Sequence, residues 1–72
     1  MNYTVNEEPR SADTAPSVAA VVAAETGREV SDTEGAKGVA VAVNRSVVPA
    51  SEWGRALQDG DALDILIAVQ GG

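Results

Sequence analysis

The stretch DALDILIAVQGG, Asp61 to Gly72, decides the fold. Leu63, Ile65, Ile67 and Val69 fall on every second position and share one face. Asp64, Leu66, Ala68 and Gln70 share the other. An alternation of this length, rich in β-branched residues, predicts a strand over Asp61–Gln70. The turn residues Gln58-Asp59-Gly60 stand just ahead of it. This strand is expected to lie at the centre of the sheet and to pair with the N-terminal strand, so the rest of the chain has to supply its neighbours.

Working outward, Val39, Val41 and Val43 alternate with Ala40 and Ala42 and predict a second, largely buried strand. Asn44-Arg45-Ser46 turns the chain, Val47-Val48 forms a short strand, and Pro49 ends it. Ser51 caps a single helical turn through Leu57. At the other end Met1, Tyr3 and Val5 alternate with polar residues and predict a strand. Asn6-Glu7-Glu8-Pro9 carries turn residues, and Arg10 to Asp13 makes a short return strand. Between the two halves, Val18, Val21 and Val22 form a stripe at helical spacing. Pro16 suits the first helical turn, with Thr14 or Ala15 before it, and Gly27 suits the C-terminal cap. Gly27 to Gly38 is a long polar loop. The expected architecture is α+β: a mixed sheet of four or five strands with one main helix, near Ser17 to Thr26, packed across one face. Its element order matches the ubiquitin-like β-grasp.

Composition narrows the chemistry. Seventy-two residues make one domain, 1–72, with a thin core. There is no cysteine and no histidine, so a thiol nucleophile, an imidazole base and a Cys/His metal site are excluded. Eleven acids against five bases give a net charge of −6, which repels a phosphate backbone and argues against nucleic-acid binding. MNYTVNEEPR is not a signal peptide. The longest apolar run, Val18 to Ala24, is far short of the ~20 residues of a membrane span. A cytoplasmic protein is expected. The acids Glu7, Glu8, Asp32, Glu34 and Asp61 follow no calcium-loop spacing, and the glycines form no phosphate-binding loop around Lys37.

The chemistry that remains lies in Gly71-Gly72. At a typical glycine usage of ~7%, a final pair arises by chance in roughly one chain in two hundred, and here it directly follows the strongest strand. Glycine lets backbone pass a narrow channel. A terminal carboxylate with a pKa near ~3.3–3.7 is ionised at neutral pH and is a poor electrophile. ATP converts such a group to an acyl-adenylate, and a sulfur nucleophile then displaces AMP to leave a thiocarboxylate. Gly71 and Gly72 are expected to form a mobile tail. From Val69 onward it spans about 10–13 Å at ~3.3 Å per residue.

The runs VAVAVNRSVVPASEW (Val39 to Trp53) and DGDALDILIAVQGG (Asp59 to Gly72) resemble the ThiS family, the sulfur carriers of bacterial thiamin thiazole biosynthesis. Val-Val-Pro-x-Ser-x-Trp, the Asp-Gly-Asp turn and the terminal Gly-Gly carry the likeness. It implies that Gly72 is adenylated and converted to the thiocarboxylate. It also implies a ThiF-type adenylyltransferase that uses ATP, a ThiG-type thiazole synthase as acceptor and a sulfur donor such as a cysteine desulfurase. The chain would then be a protein cosubstrate with no bound cofactor and no metal. Partner contacts are expected at Gly71, Gln70 and Val69 of the tail, and at Ala68, Leu66, Ala40 and Ala42 on the sheet face away from the helix. Trp53 is expected to close one end of the core, and Arg45 and Arg55 to be solvated charges. Two other readings use the same features: a MoaD-like small subunit of molybdopterin synthase, and a ubiquitin-like modifier or interaction module.

Overall fold

The computed structural model describes residues 1–68. Val69, Gln70, Gly71 and Gly72, which carry the end of the expected strand and the tail, lie outside the described residues. Five strands form one sheet: β1 Asn2–Val5, β2 Glu8–Ser11, β3 Val39–Val43, β4 Ser46–Val47 and β5 Ala62–Ile67. Their spatial order is β2-β1-β5-β3-β4. The last strand is central and pairs with the N-terminal strand, as expected. It runs parallel to β1, with Thr4 opposite Ala62 and Val5 opposite Leu63. It runs antiparallel to β3, from Val43 opposite Leu63 to Val39 opposite Ile67.

One helix, α1 (Val18–Thr26), covers one face. At nine residues it is too short to be stable alone, and three valines lower its intrinsic preference. Burial of Val18, Ala19, Val21 and Val22 holds it, at about 1.5–3 kcal/mol for each fully buried valine. These residues meet Val5, Val41, Val43, Leu63 and Ile65 from the sheet. The sequence put the helix near Ser17 to Thr26, with Pro16 suited to its first turn and Thr14 or Ala15 before it. In the structure the helix begins at Val18 and Ser17 is its N-cap: the Ser17 hydroxyl accepts the Ala20 N–H at 3.0 Å and so satisfies a free first-turn donor. Pro16 stays outside, where its carbonyl accepts from Leu57 N–H. Gly27 caps the other end at φ 69.

Both hairpins are tighter than the sequence suggested. The expected four-residue turn Asn6–Pro9 is a two-residue turn, Asn6-Glu7, and β2 begins at Glu8 and ends at Ser11 where Arg10–Asp13 was expected. Pro9 is tolerated because β2 is an edge strand. The second turn is Asn44-Arg45, so β4 is Ser46–Val47 where Val47–Val48 was expected. All four turn residues have positive φ: 49 and 72 at Asn6 and Glu7, 51 and 71 at Asn44 and Arg45. Paired left-handed residues match the turn to the strand twist.

The expected helical turn capped by Ser51 is a 3-10 turn over Ala50–Glu52, entered from Pro49 with no side-chain cap. It delivers Trp53 into the core at 2% exposure, with its indole N–H donating to Val48 O at 3.1 Å. The long 27–38 loop is built around this ring. Ser31 and Gly35 exchange main-chain hydrogen bonds, and Ser31 Oγ accepts from the N–H groups of Thr33 and Glu34. A Cβ on Gly35, at φ 74, would stand 3.0 Å from Ala50 Cβ and 3.5 Å from the indole. Glycine is required there for both conformation and space. At the opposite edge Arg10 bridges Glu25 of α1 and Glu8 of β2, and hydrogen bonds to Glu25 and then Glu8 raise its pKa.

Candidate functional site

The strand that points toward the tail is held by side chains as well as by its ladder. Asn6 and Asn44, the first residues of the two hairpin turns, both reach β5. Asn6 Oδ1 accepts the Ile65 N–H at 2.8 Å. Asn44 Oδ1 accepts the Ala62 N–H at 3.0 Å, and its amide donates to Asp61 Oδ1 at 3.0 Å. Asp61 in turn accepts the Gln58 N–H at 2.8 Å. The start of β5 is thereby fixed from both sides.

Inward and outward residues separate cleanly as far as Ile65. Val41, Val43, Leu63 and Ile65 are buried beneath α1. Ala40, Ala42, Leu66 and Ala68 lie on the other face, as the alternation required. Ala40 sits directly opposite Leu66, and Ala42 opposite Asp64. Leu66 is 71% exposed; it is a surface residue, not a core one. Ala40 and Ala68 are exposed, and Ala42 is half-buried. The expectation that Ile67 belongs to the core face is corrected, since it is 44% exposed. The core ends at Ile65, and the last turn of alternation points at solvent.

Val47 had no functional reading in the sequence. It pairs with Ala42 on the same open face and is 79% exposed. The missed signal is the register: β4 is short, but its one outward apolar residue extends the patch. Two shallow depressions mark this face. One is lined by Gly38, Val39, Ala40, Leu66, Ile67 and Ala68; the other by Asn6, Glu7, Ala42, Arg45, Asp64 and Leu66. The Ala68 N–H donates to Gly38 O at 2.7 Å, so pairing with the β3 side holds to the last described residue. Arg28 and Lys37 stand beside this point.

Arg45 and Arg55 are exposed, and among the described residues the ion pairs all belong to Arg10. No group of three or more His, Cys, Asp or Glu among the described residues is placed to hold a metal ion. Among the described residues no helix is long and apolar enough to cross a membrane. Val69, Gln70, Gly71 and Gly72, expected as tail and attachment residues, lie outside the described residues. The arrangement presents an apolar patch at the base of the segment that leads to Gly71-Gly72.

Comparison with known proteins adds the family-level finding. The model of the ThiS family matches residues 3–72. A solved structure of a thiamine biosynthesis protein (ThiS) from Geobacter metallireducens superposes with a TM-score of 0.72 at 29% sequence identity, covering 100% of each chain. No curated protein matches.

Proposed function

Because the chain belongs to the ThiS family, we propose that it is a sulfur carrier of thiamine biosynthesis and that the carboxylate of Gly72 is its working group. The observation that carries this is the family match over residues 3–72, which takes in Gly71-Gly72. A rigid central strand ending beside an apolar patch supports it. In the proposed cycle a ThiF-type adenylyltransferase binds the tail and ATP. The Gly72 carboxylate attacks the α-phosphorus, and pyrophosphate leaves. The persulfide of a donor such as a cysteine desulfurase attacks the acyl carbon and AMP leaves; a thiol then reduces the resulting acyl disulfide, which frees the thiocarboxylate and leaves a disulfide with the donor's cysteine. Its sulfur passes to the forming thiazole on a ThiG-type synthase. The chain is a cosubstrate in this cycle, in the cytoplasm; it supplies the acyl group and the docking surface, and the partner supplies ATP binding and catalysis. The family match supports the thiamine pathway over the molybdopterin one.

The reading is tested by ATP–pyrophosphate exchange with a ThiF-type enzyme. Deleting Gly72 shortens the reach by ~3.3 Å, and adding one residue lengthens it equally. Both changes are expected to abolish exchange while leaving thermal stability unchanged. A truncated chain activated like wild type would overturn the assignment.

A further inference from the structure

The ladder around β5 leaves a short main-chain edge open. Odd-numbered residues of β5 direct their N–H and C=O groups toward β1: Asn6 N–H donates to Leu63 O at 2.8 Å, and Ile65 N–H donates to Asn6 Oδ1 at 2.8 Å. Even-numbered residues face β3, as the Asn44 N–H to Ala62 O and Ala68 N–H to Gly38 O bonds show. Pairing with β1 stops at Val5 and Leu63, because the chain turns at Asn6-Glu7. Asn6 then stands in for the missing strand at one donor. Beyond it, the carbonyl of Ile65 and both main-chain groups of Ile67 point to a side where no strand runs among the described residues. The exposure of Ile67, 44%, agrees with an open flank.

We infer that this edge pairs with an extended segment of the activating enzyme, so that main-chain hydrogen bonds at Ile65 and Ile67 set the register of the tail. The inference rests on the carrier reading above. An unpaired strand edge is a template for another chain, and strand addition gives register through main-chain bonds. The occupant follows from size, charge and continuity. Three main-chain groups are far too few for a stable dimer, which buries on the order of 1,200 Å² or more. Two copies at net charge −6 also repel. The edge is useful only as part of a larger interface, and it continues directly into the segment that leads to Gly72. A partner that grips the tail is therefore the chain that reaches it.

The test is N-methylation of the Ile67 amide in the full-length chain, assembled by chemical ligation. The methyl group removes the N–H and projects from the open edge, leaving the β3 ladder intact. N-methylation at Leu66, whose N–H faces β3, serves as the contrast and is expected to lower the melting temperature. For the Ile67 derivative we expect an unchanged melting temperature and a KM for the carrier, in ATP–pyrophosphate exchange, raised about tenfold, with kcat retained. An unchanged KM, with the unmodified chain fully active, overturns the edge and leaves the carrier reading standing. No exchange with the unmodified chain overturns both. Unfolding of the Ile67 derivative would show that its N–H serves the ladder, which also overturns the proposal. So would a dimer of the unmodified chain that methylation dissolves, since the edge would then belong to a second copy.

Discussion

The two halves of β5 share one alternating pattern and have opposite fates. Over Ala62–Ile65 the strand has β3 on one side and, on the other, β1 as far as Leu63 and then the Asn6 side chain; a second asparagine, Asn44, is bonded to its start, and Leu63 and Ile65 are buried. Over Leu66–Ala68 its partner among the described residues is the β3 side, and Leu66 and Ile67 are exposed. The difference comes from where the neighbours end. Strand β1 turns at Asn6, and α1 covers the sheet only as far as Ile65. A single element thus forms core at one end and exposed surface at the other.

The largest expected effect breaks the comparison at its buried half. Leu63, with no exposed surface, should lose about 2–5 kcal/mol on change to alanine, read by urea unfolding. Leu66→Ala should stay within about 0.5 kcal/mol. Equal losses would erase the distinction. Leu66→Glu should leave the circular dichroism spectrum native and weaken binding to the activating enzyme; unchanged affinity would remove this face from the docking surface.

Next in size is the Asn6 clamp. Asn6→Ala leaves the half-buried Ile65 N–H without its acceptor and places alanine at φ 49. A loss of about 1–3 kcal/mol is expected, with faster hydrogen exchange at the Ile65 amide. Asn6→Asp retains the acceptor and should restore most of the protection. If exchange at Ile65 does not change in the alanine variant, the ladder alone fixes the strand.

The smallest effect sharpens the role of the turns. Glu7 and Arg45 hold φ of 72 and 71, a conformation costing a side chain roughly 1–2 kcal/mol. Glycine removes that cost but has more freedom to lose on folding, about 0.5–1 kcal/mol. Glu7→Gly and Arg45→Gly should each stabilise by about 0.5 kcal/mol in urea unfolding. A loss instead would mean that these side chains contribute contacts of their own.

The sequence was most legible where periodicity speaks for burial. Strands β1, β3 and β5 follow from apolar alternation, the helix from its valine stripe, alanines and caps, and the burial of Trp53 from the size and apolar body of its ring. The hairpin turns were harder, because Asn6-Glu7 and Asn44-Arg45 lack the glycine that usually marks a left-handed pair. The reach of the core was hidden as well. Ile67 continues the pattern of Leu63 and Ile65, and only the end of the helix cover exposes it. Val47 was missed for a related reason: its importance lies in its register with Ala42, a relation between strands. Gly71-Gly72 was conspicuous as a motif, whereas the open edge at Ile67 required hydrogen-bond parity that sequence alone does not carry.

The parallel pairing of β1 with β5 has a mechanical consequence. When the body of the molecule is held and the far end of β5 is pulled, the load runs along the strand, perpendicular to its hydrogen bonds. The bonds to β1 and β3 then share the force and yield together, whereas a hairpin pulled at its open end unzips one bond at a time. A chain tugged by its last residues is loaded in its stiffest direction, and the hydrogen bonds from Asn6 and Asn44 act as rivets against slip.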